Sequence, residues 1–171
     1  MARKRVLAID PGSRLMGFAV LEADGRRIRA VASGAVDVDG TRRRRLTEAA
    51  DRLRRIFDAV TRLAQRHRAH ELAVEAVFVG PSPKSALRLA EARAAAILAA
   101  ARRRMNVREY AASEARAVLT GWGAASKPQV ALAVARALAL RCPPDPDAAD
   151  ALAIGLCHAA RTWRIEPWRN R

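Results

Sequence analysis

Four carboxylates carry most of the chemical interest in a chain that is otherwise strongly basic. Asp10 closes the apolar run Val6-Leu7-Ala8-Ile9, and Glu75 interrupts the run Leu72-Ala73-Val74-x-Ala76-Val77-Phe78. An ionised carboxylate in a sheet core is costly unless a cation or hydrogen bonds compensate it. Either one alone could be answered by a salt bridge to one of the many arginines. The segment Pro143-Pro144-Asp145-Pro146-Asp147-Ala148-Ala149-Asp150 adds two more. Asp145 is placed to cap a helix and Pro146 to open it. Asp147 and Asp150 then share one helix face near the positive end of the dipole. Acidic residues favour a first helical turn in any protein, which is a sufficient reading of Asp147 alone. Asp150 leads into Ala151-Leu152-Ala153-Ile154, so its face is expected to turn toward the sheet. Together Asp10, Glu75, Asp147 and Asp150 are the hard oxygen donors that Mg²⁺ or Mn²⁺ prefers, with positions left for water and phosphate. Such a site supports phosphodiester hydrolysis. With two ions about 4 Å apart, one activates the attacking water and the other stabilises the leaving 3′ oxygen. No protein nucleophile is required, and dependence on metal is expected because bare carboxylates would repel a polyanion.

The histidines fit this chemistry poorly. His67 and His70 fall at the end of a long helix, where capping or solvation is the expected role. His158 lies eleven residues beyond Asp147, about 16 Å along a helix, so it is expected to be structural. Cys142 and Cys157 have no metal-type spacing and are read as small apolar residues.

Thirty-two basic residues against 17 acidic give a formal charge of +15, a field that attracts polyanions, with nucleic acid foremost. Lysine occurs only at 4, 84 and 127. That preference for arginine could follow genome base composition, but the excess of base over acid does not. No run approaches the roughly 18 to 20 apolar residues of a membrane span. The basic start Met1-Ala2-Arg3-Lys4-Arg5 is followed by too few apolar residues for a signal peptide. A soluble, cytoplasmic protein without a membrane role is expected.

The elements that must position the carboxylates can be read in order. Residues 5–10 predict a strand ended by Pro11-Gly12. Residues 16–22 and about 27–36 predict two more, joined at Asp24-Gly25 as a hairpin. Leu46, Ala49, Leu53, Ile56, Val60 and Leu63 recur at helical spacing between Thr41 and Arg68, with an exposed arginine face. A fourth strand is expected at Glu71–Phe78, a second helix at Lys84 to about Arg104, and a fifth strand at Val107–Tyr110. Helices are expected at Ser113–Leu119, about Ser126–Leu140 and Pro146 to about Arg161. Three antiparallel strands followed by alternating helix and strand describe one mixed sheet with helices packed on it.

The segments Ala8-Ile9-Asp10-Pro11-Gly12-Ser13-Arg14, Val74-Glu75-x-Val77-Phe78, Ser85-Ala86-Leu87 with Ala92-Arg93, and Asp147-Ala148-Ala149-Asp150-Ala151-Leu152-Ala153 together resemble the RuvC family of bacterial Holliday junction resolvases, from about residue 5 to 160. The resemblance implies an α/β ribonuclease H-like fold, a mixed five-stranded sheet with helices on both faces. It divides the chain into a nuclease domain at 1–162 and a basic tail at 163–171. It also implies a homodimer, Mg²⁺ with Mn²⁺ as a possible substitute at two ions per site, and RuvA and RuvB as partners. The activity implied is paired symmetric cleavage of four-way DNA junctions, leaving 5′-phosphate and 3′-hydroxyl ends. The family's catalytic carboxylates match Asp10, Glu75, Asp147 and Asp150. Phe78 matches an aromatic that stacks at the junction centre, although sequence alone would place it in the core. Lys127 matches a lysine near the scissile phosphate, and Arg116 a frequent basic position; a solvated face is the plainer reading of each. Gly80-Pro81-Ser82-Pro83 stands before Lys84, itself a candidate DNA contact, where the family commonly has a Lys-Asn pair. Two other functions fit the residues less well: a ribonuclease H-like RNA-processing nuclease, and a binding module that holds branched DNA without cutting it.

Overall fold

The computed structural model describes residues 3–12, 14–25, 27–39, 48–77 and 82–166. Five strands form one sheet in the order β3-β2-β1-β4-β5, with β1 at Lys4–Asp10, β2 at Leu15–Asp24, β3 at Arg27–Asp37, β4 at Glu71–Glu75 and β5 at Asn106–Tyr110. β1, β2 and β3 pair antiparallel, whereas β4 joins β1 and β5 joins β4 in parallel. This is the mixed sheet expected. The central β1 is buried on both faces, which explains why it reads as a continuous apolar run rather than an alternation.

Side chains of alternate parity separate two apolar layers. Leu7 and Ile9 on β1, with Leu72 and Val74 on β4, face α1 (Glu48–His67) and α2 (Pro83–Arg102). Val6, Ala8 and Ala73 face the other layer, built from α3 (Ala112–Thr120), α4 (Lys127–Leu138) and α5 (Pro146–His158). Helices thus cover both faces.

Helix α5 lies across the sheet unusually closely, and two glycines explain it. A Cβ on Gly17 would stand 2.3 Å from the Asp147 carbonyl oxygen, and one on Gly155 would stand 2.7 Å from Leu21 Cδ1. At Gly17 the obstacle is backbone, so any larger residue would push the helix off the strands, whereas at Gly155 the Leu21 side chain must give way first. Pro146 opens α5 as expected. Asp145 occupies the cap position without a side-chain capping bond, and its carbonyl accepts from Ala149 N–H at 2.8 Å.

Three local expectations differ from the structure. The last helix does not run on as an α-helix to Arg161 but loosens into a π-helical turn, Ala159–Trp163. Trp163 and Ile165, the first apolar residues of the expected tail, are buried in the layer beside α5. Trp163 Nε1–H donates to Glu71 at 2.9 Å. The arginine face of α1 is not wholly exposed: Arg52 is buried and donates to Glu91 on α2 at 2.7 Å. Its long side chain spans the gap between the helices and finds a carboxylate there. Elsewhere on α1, Arg54 and Arg55 pair with Asp51 one turn away, as the helical spacing predicts. The strand expected as far as Phe78 ends at Glu75, with Ala76 and Val77 already past it; the part of the first helix expected before residue 48, Phe78 itself and residues 167–171 lie outside the described residues.

Candidate active site

Parallel pairing of β1 with β4 sets Ile9 beside Val74, so the next residues along, Asp10 and Glu75, end neighbouring strands on one face. That face is the one covered by α5, whose first turns bring Asp150 to the same place. Asp10, Glu75 and Asp150 line a cavity of about 200 Å³ together with Arg116 of α3 and Lys127 of α4. Ala112, Ala115 and Ala153 complete much of the wall. Their small side chains leave the space open. Lys127 Nζ donates to Asp150 at 3.0 Å.

The electrostatics of these carboxylates contrast with those of a third strand carboxylate, Glu22. Glu22 is buried on β2, but Arg29 donates to it at 2.6 Å and Arg5 at 2.5 Å. Those two guanidinium groups hold its carboxyl below the usual range. Among the described residues no arginine pairs with Asp10. Burial, then the charges of Glu75 and Asp150, push it up to about 8, with Lys127 opposing. Glu75 is raised as well, chiefly by burial, while a side-chain hydrogen bond with Asp10 and the charges of Arg116 and Lys127 pull the other way. Two half-buried carboxyls this close favour holding one proton between them, because like charges side by side cannot both ionise cheaply. Lys127 is raised by its bond to Asp150 and by the charges of Asp10 and Asp147.

The four sequence-predicted carboxylates are therefore not equivalent. Asp10, Glu75 and Asp150 converge. Asp147 is on the same face of α5 one turn earlier and acts on Lys127 through its charge, but it does not line the cavity. Among the described residues no three His, Cys, Asp or Glu side chains close into a finished metal cage. The donor set nonetheless fits a divalent cation. It offers carboxylate oxygens, its burial penalises uncompensated charge, and a shared proton and an ammonium group now balance part of that charge.

Arg116 and Lys127 stand in the cavity wall, where a phosphate would meet them. Lys84 does not. It lines a separate cleft between the starts of α1 and α2, beside Arg14, Arg52 and Arg88. Phe78, with Gly80 and Pro81, lies outside the described residues. His158 is fully buried and takes the structural role expected: its ring nitrogens lie 3.0 Å from Tyr110 Oη and 2.9 Å from Glu71 Oε2. A carboxylate can only accept, so Nε2–H donates to Glu71, while Nδ1 faces the Tyr110 hydroxyl. Burial raises Glu71, but bonds from His158 and Trp163 together outweigh it and hold the carboxyl below its usual range.

One positioning residue escaped the sequence reading. Gly17 pairs with Asp10 across β1 and β2, and its missing side chain admits the backbone of Asp147. A lone glycine inside an apolar strand was the available signal, since it often marks a close approach of another backbone.

Known proteins agree with this arrangement. The family model described as crossover junction endodeoxyribonuclease RuvC matches residues 6–158. Among relatives, crossover junction endodeoxyribonuclease RuvC of Idiomarina loihiensis is 46% identical over 154 residues, 90% of this chain and 86% of that protein. That of Acinetobacter baumannii is 44% identical over 90% of this chain and 82% of its own length. Thermus thermophilus RuvC superposes with a TM-score of 0.78 at 31% identity, covering 91% of this chain and 93% of the other. The same protein in complex with a Holliday junction substrate gives 0.77 at 29% identity, covering 91% and 92%. The yeast mitochondrial resolvase Ydc2 shares the fold, with a TM-score of 0.59 at 14% identity over 88% of this chain and 77% of its own. A mixed sheet, a carboxylate cavity at its strand ends and matches over nine-tenths of the length all lead to one assignment: the chain belongs to the crossover junction endodeoxyribonuclease RuvC family.

Proposed function

We propose that this chain is a structure-specific DNA endonuclease that resolves four-way junctions by paired, symmetric phosphodiester hydrolysis, leaving 5′-phosphate and 3′-hydroxyl ends. The observation that carries the reading is the convergence of Asp10, Glu75 and Asp150 with Lys127 and Arg116 in one cavity, in a chain whose relatives are junction endonucleases.

Asp10, Glu75, Asp147 and Asp150 are the residues that would hold divalent metal, Mg²⁺ with Mn²⁺ able to substitute, at two ions per site. Such ions supply a water of lowered pKa and positive charge at the leaving oxygen. The chain's own residues do the rest. Asp10 and Glu75, whose carboxyls are raised chiefly by burial, would be ionised in the metal-bound site. Lys127, bound to Asp150 at 3.0 Å, is a mobile cation on a flexible stem and can turn from the carboxylate to a phosphate oxygen. Arg116 faces the same space and adds a second, permanently charged donor. Phe78 and Lys84 are proposed DNA contacts on the strength of the family pattern alone.

Two cuts placed symmetrically require two such sites, so a homodimer follows, with the branch-migration proteins RuvA and RuvB as partners in the cytoplasm. The test is incubation with a labelled four-way junction and Mg²⁺, beside linear duplex, an RNA–DNA hybrid and the Asp10→Asn variant. Paired nicks on the junction alone, lost in Asp10→Asn while binding persists, are expected. Cutting of the hybrid alone would make it an RNA-processing nuclease. Junction binding without cleavage under either metal would make it a binding module.

A further inference from the structure

Between α3 and α4, beside the carboxylate cavity, lies a second open groove of about 610 Å³, lined by Leu119, Trp122, Leu132 and Arg136 among others. The same two helices wall both spaces. α3 contributes Ala115 and Arg116 to the cavity and Leu119 to the groove; α4 contributes Lys127 and Val130 to the cavity and Arg136 to the groove. The loop that joins them carries Trp122, which is 59% exposed.

This tryptophan is displayed on a rigid support. Gly121 ends α3 in a left-handed conformation, with φ +79°. Thr120 Oγ1 accepts from Trp122 N–H at 3.1 Å. The Trp122 carbonyl accepts from Ala125 N–H at 3.2 Å. Gly123 packs so closely on Ser113 that a Cβ would stand 3.1 Å from its carbonyl oxygen. The backbone on both sides is held, yet the indole is left largely in water, which is a poor arrangement for stability and a good one for stacking. Arg136 has no ion-pair partner among the described residues, so its charge remains available in the same groove.

We infer that Trp122 is a stacking platform for a DNA base next to the scissile phosphate, with Arg136 facing that nucleotide's backbone. The occupant is argued from continuity and charge. The wall of α3 and α4 that presents Arg116 and Lys127 to a phosphate presents Leu119 and Arg136 to the groove, so a strand held at the first lies next to the second. The groove offers what a nucleotide needs, an aromatic face beside an arginine, on a chain of charge +15. The inference rests on the proposed junction cleavage for the identity of the strand.

The test uses the full chain as wild type, Trp122→Phe and Trp122→Ala, with junctions carrying the fluorescent base 2-aminopurine at successive positions around the cleavage site. Binding should quench the analogue at one position in wild type and Trp122→Phe, and not in Trp122→Ala. Single-turnover cleavage should fall by about 5- to 100-fold in Trp122→Ala, the range that loss of one stacked base produces, and by under about threefold in Trp122→Phe, which keeps an aromatic face. Removing the base at the quenched position should slow wild type to the rate of Trp122→Ala and slow that variant no further, as expected for two partners in one contact. Equal quenching in wild type and Trp122→Ala overturns the platform, whatever the cleavage result. So does a Trp122→Ala protein that dissociates to monomer in light scattering with quenching intact, which would make the groove a subunit contact. Position-specific quenching by a wild-type protein that never nicks the junction would keep the platform and overturn the resolvase reading instead.

Discussion

Glu22 and Asp10 show how a residue's surroundings, rather than its type, decide what it can do. Both are strand carboxylates. Glu22 is neutralised by Arg5 and Arg29 and its pKa falls; Asp10 is left facing Glu75 and Asp150 and its pKa rises to about 8. The first arrangement is finished, whereas the second has a place for a cation. Replacing Asp10 by Asn keeps the shape and removes the charge, and cleavage should fall by more than about a hundredfold with junction binding retained; a nicking assay beside a gel-shift titration checks this. Without metal, the folded state holds a proton on Asp10 that the unfolded chain releases near its ordinary value, so stability is greatest below about pH 4 as far as this group is concerned. It declines as pH rises from there through about 8. Thermal melts across that window should show the Asp10 contribution as a falling Tm, reduced in Asp10→Asn and opposed by added Mg²⁺. Cleavage has the opposite slope, because metal competes with the proton. At limiting Mg²⁺ the rate should climb with pH toward about 8, and its midpoint should move to lower pH as Mg²⁺ is raised.

At the scale of elements, the site depends on how closely α5 approaches the sheet. Gly17 and Gly155 set that distance, so Gly17→Ala forces the first turn of α5, with Asp147 and Asp150, away from Asp10. A loss of about 1 to 3 kcal/mol is expected from the overpacking, together with reduced cleavage; urea denaturation and the nicking assay read the two effects. The far end of α5 is anchored differently, by His158, Tyr110, Glu71 and Trp163. Tyr110→Phe removes the hydroxyl that bonds His158 and should cost about 1 to 3 kcal/mol, with cleavage at permissive temperature nearly unchanged because Tyr110 does not line the cavity. The order of elements was legible from periodicity and turn residues: all five strands and all five helices fall where spacing predicts, within a few residues where the structure describes them. The π-helical turn Ala159–Trp163 was not legible. It follows from seating Trp163 against Glu71, a contact between residues distant in sequence.

At the scale of the molecule, a chain of charge +15 carries an acidic cavity, so on the proposed function the basic surface would draw DNA in and the cavity would need metal before a phosphate could enter. Junction affinity should therefore fall steeply with salt. If six to ten phosphates are contacted, the loss between 50 and 200 mM is about 10³- to 10⁵-fold, measurable by titrating binding at several salt concentrations. Light scattering should give twice the 18.6 kDa chain mass if paired cutting depends on a dimer. A monomer that cuts both strands would overturn that expectation.

The sequence by itself determined the carboxylate set, the strand and helix order and the basic field, because each depends on residue type and local spacing. Asp10 and Glu75 were conspicuous as charges inside apolar strands, and Asp150 as a charge leading an apolar helix face. Only the tertiary structure decided which of these meet. The parallel register of β1 and β4 aligns Asp10 with Glu75, and Gly17 lets α5 bring Asp150 to them. Lys127 is drawn to Asp150, while Asp147 remains outside the cavity and Lys84 lines a separate cleft. Register and helix approach depend on partners far apart in the chain, and no local pattern encodes them.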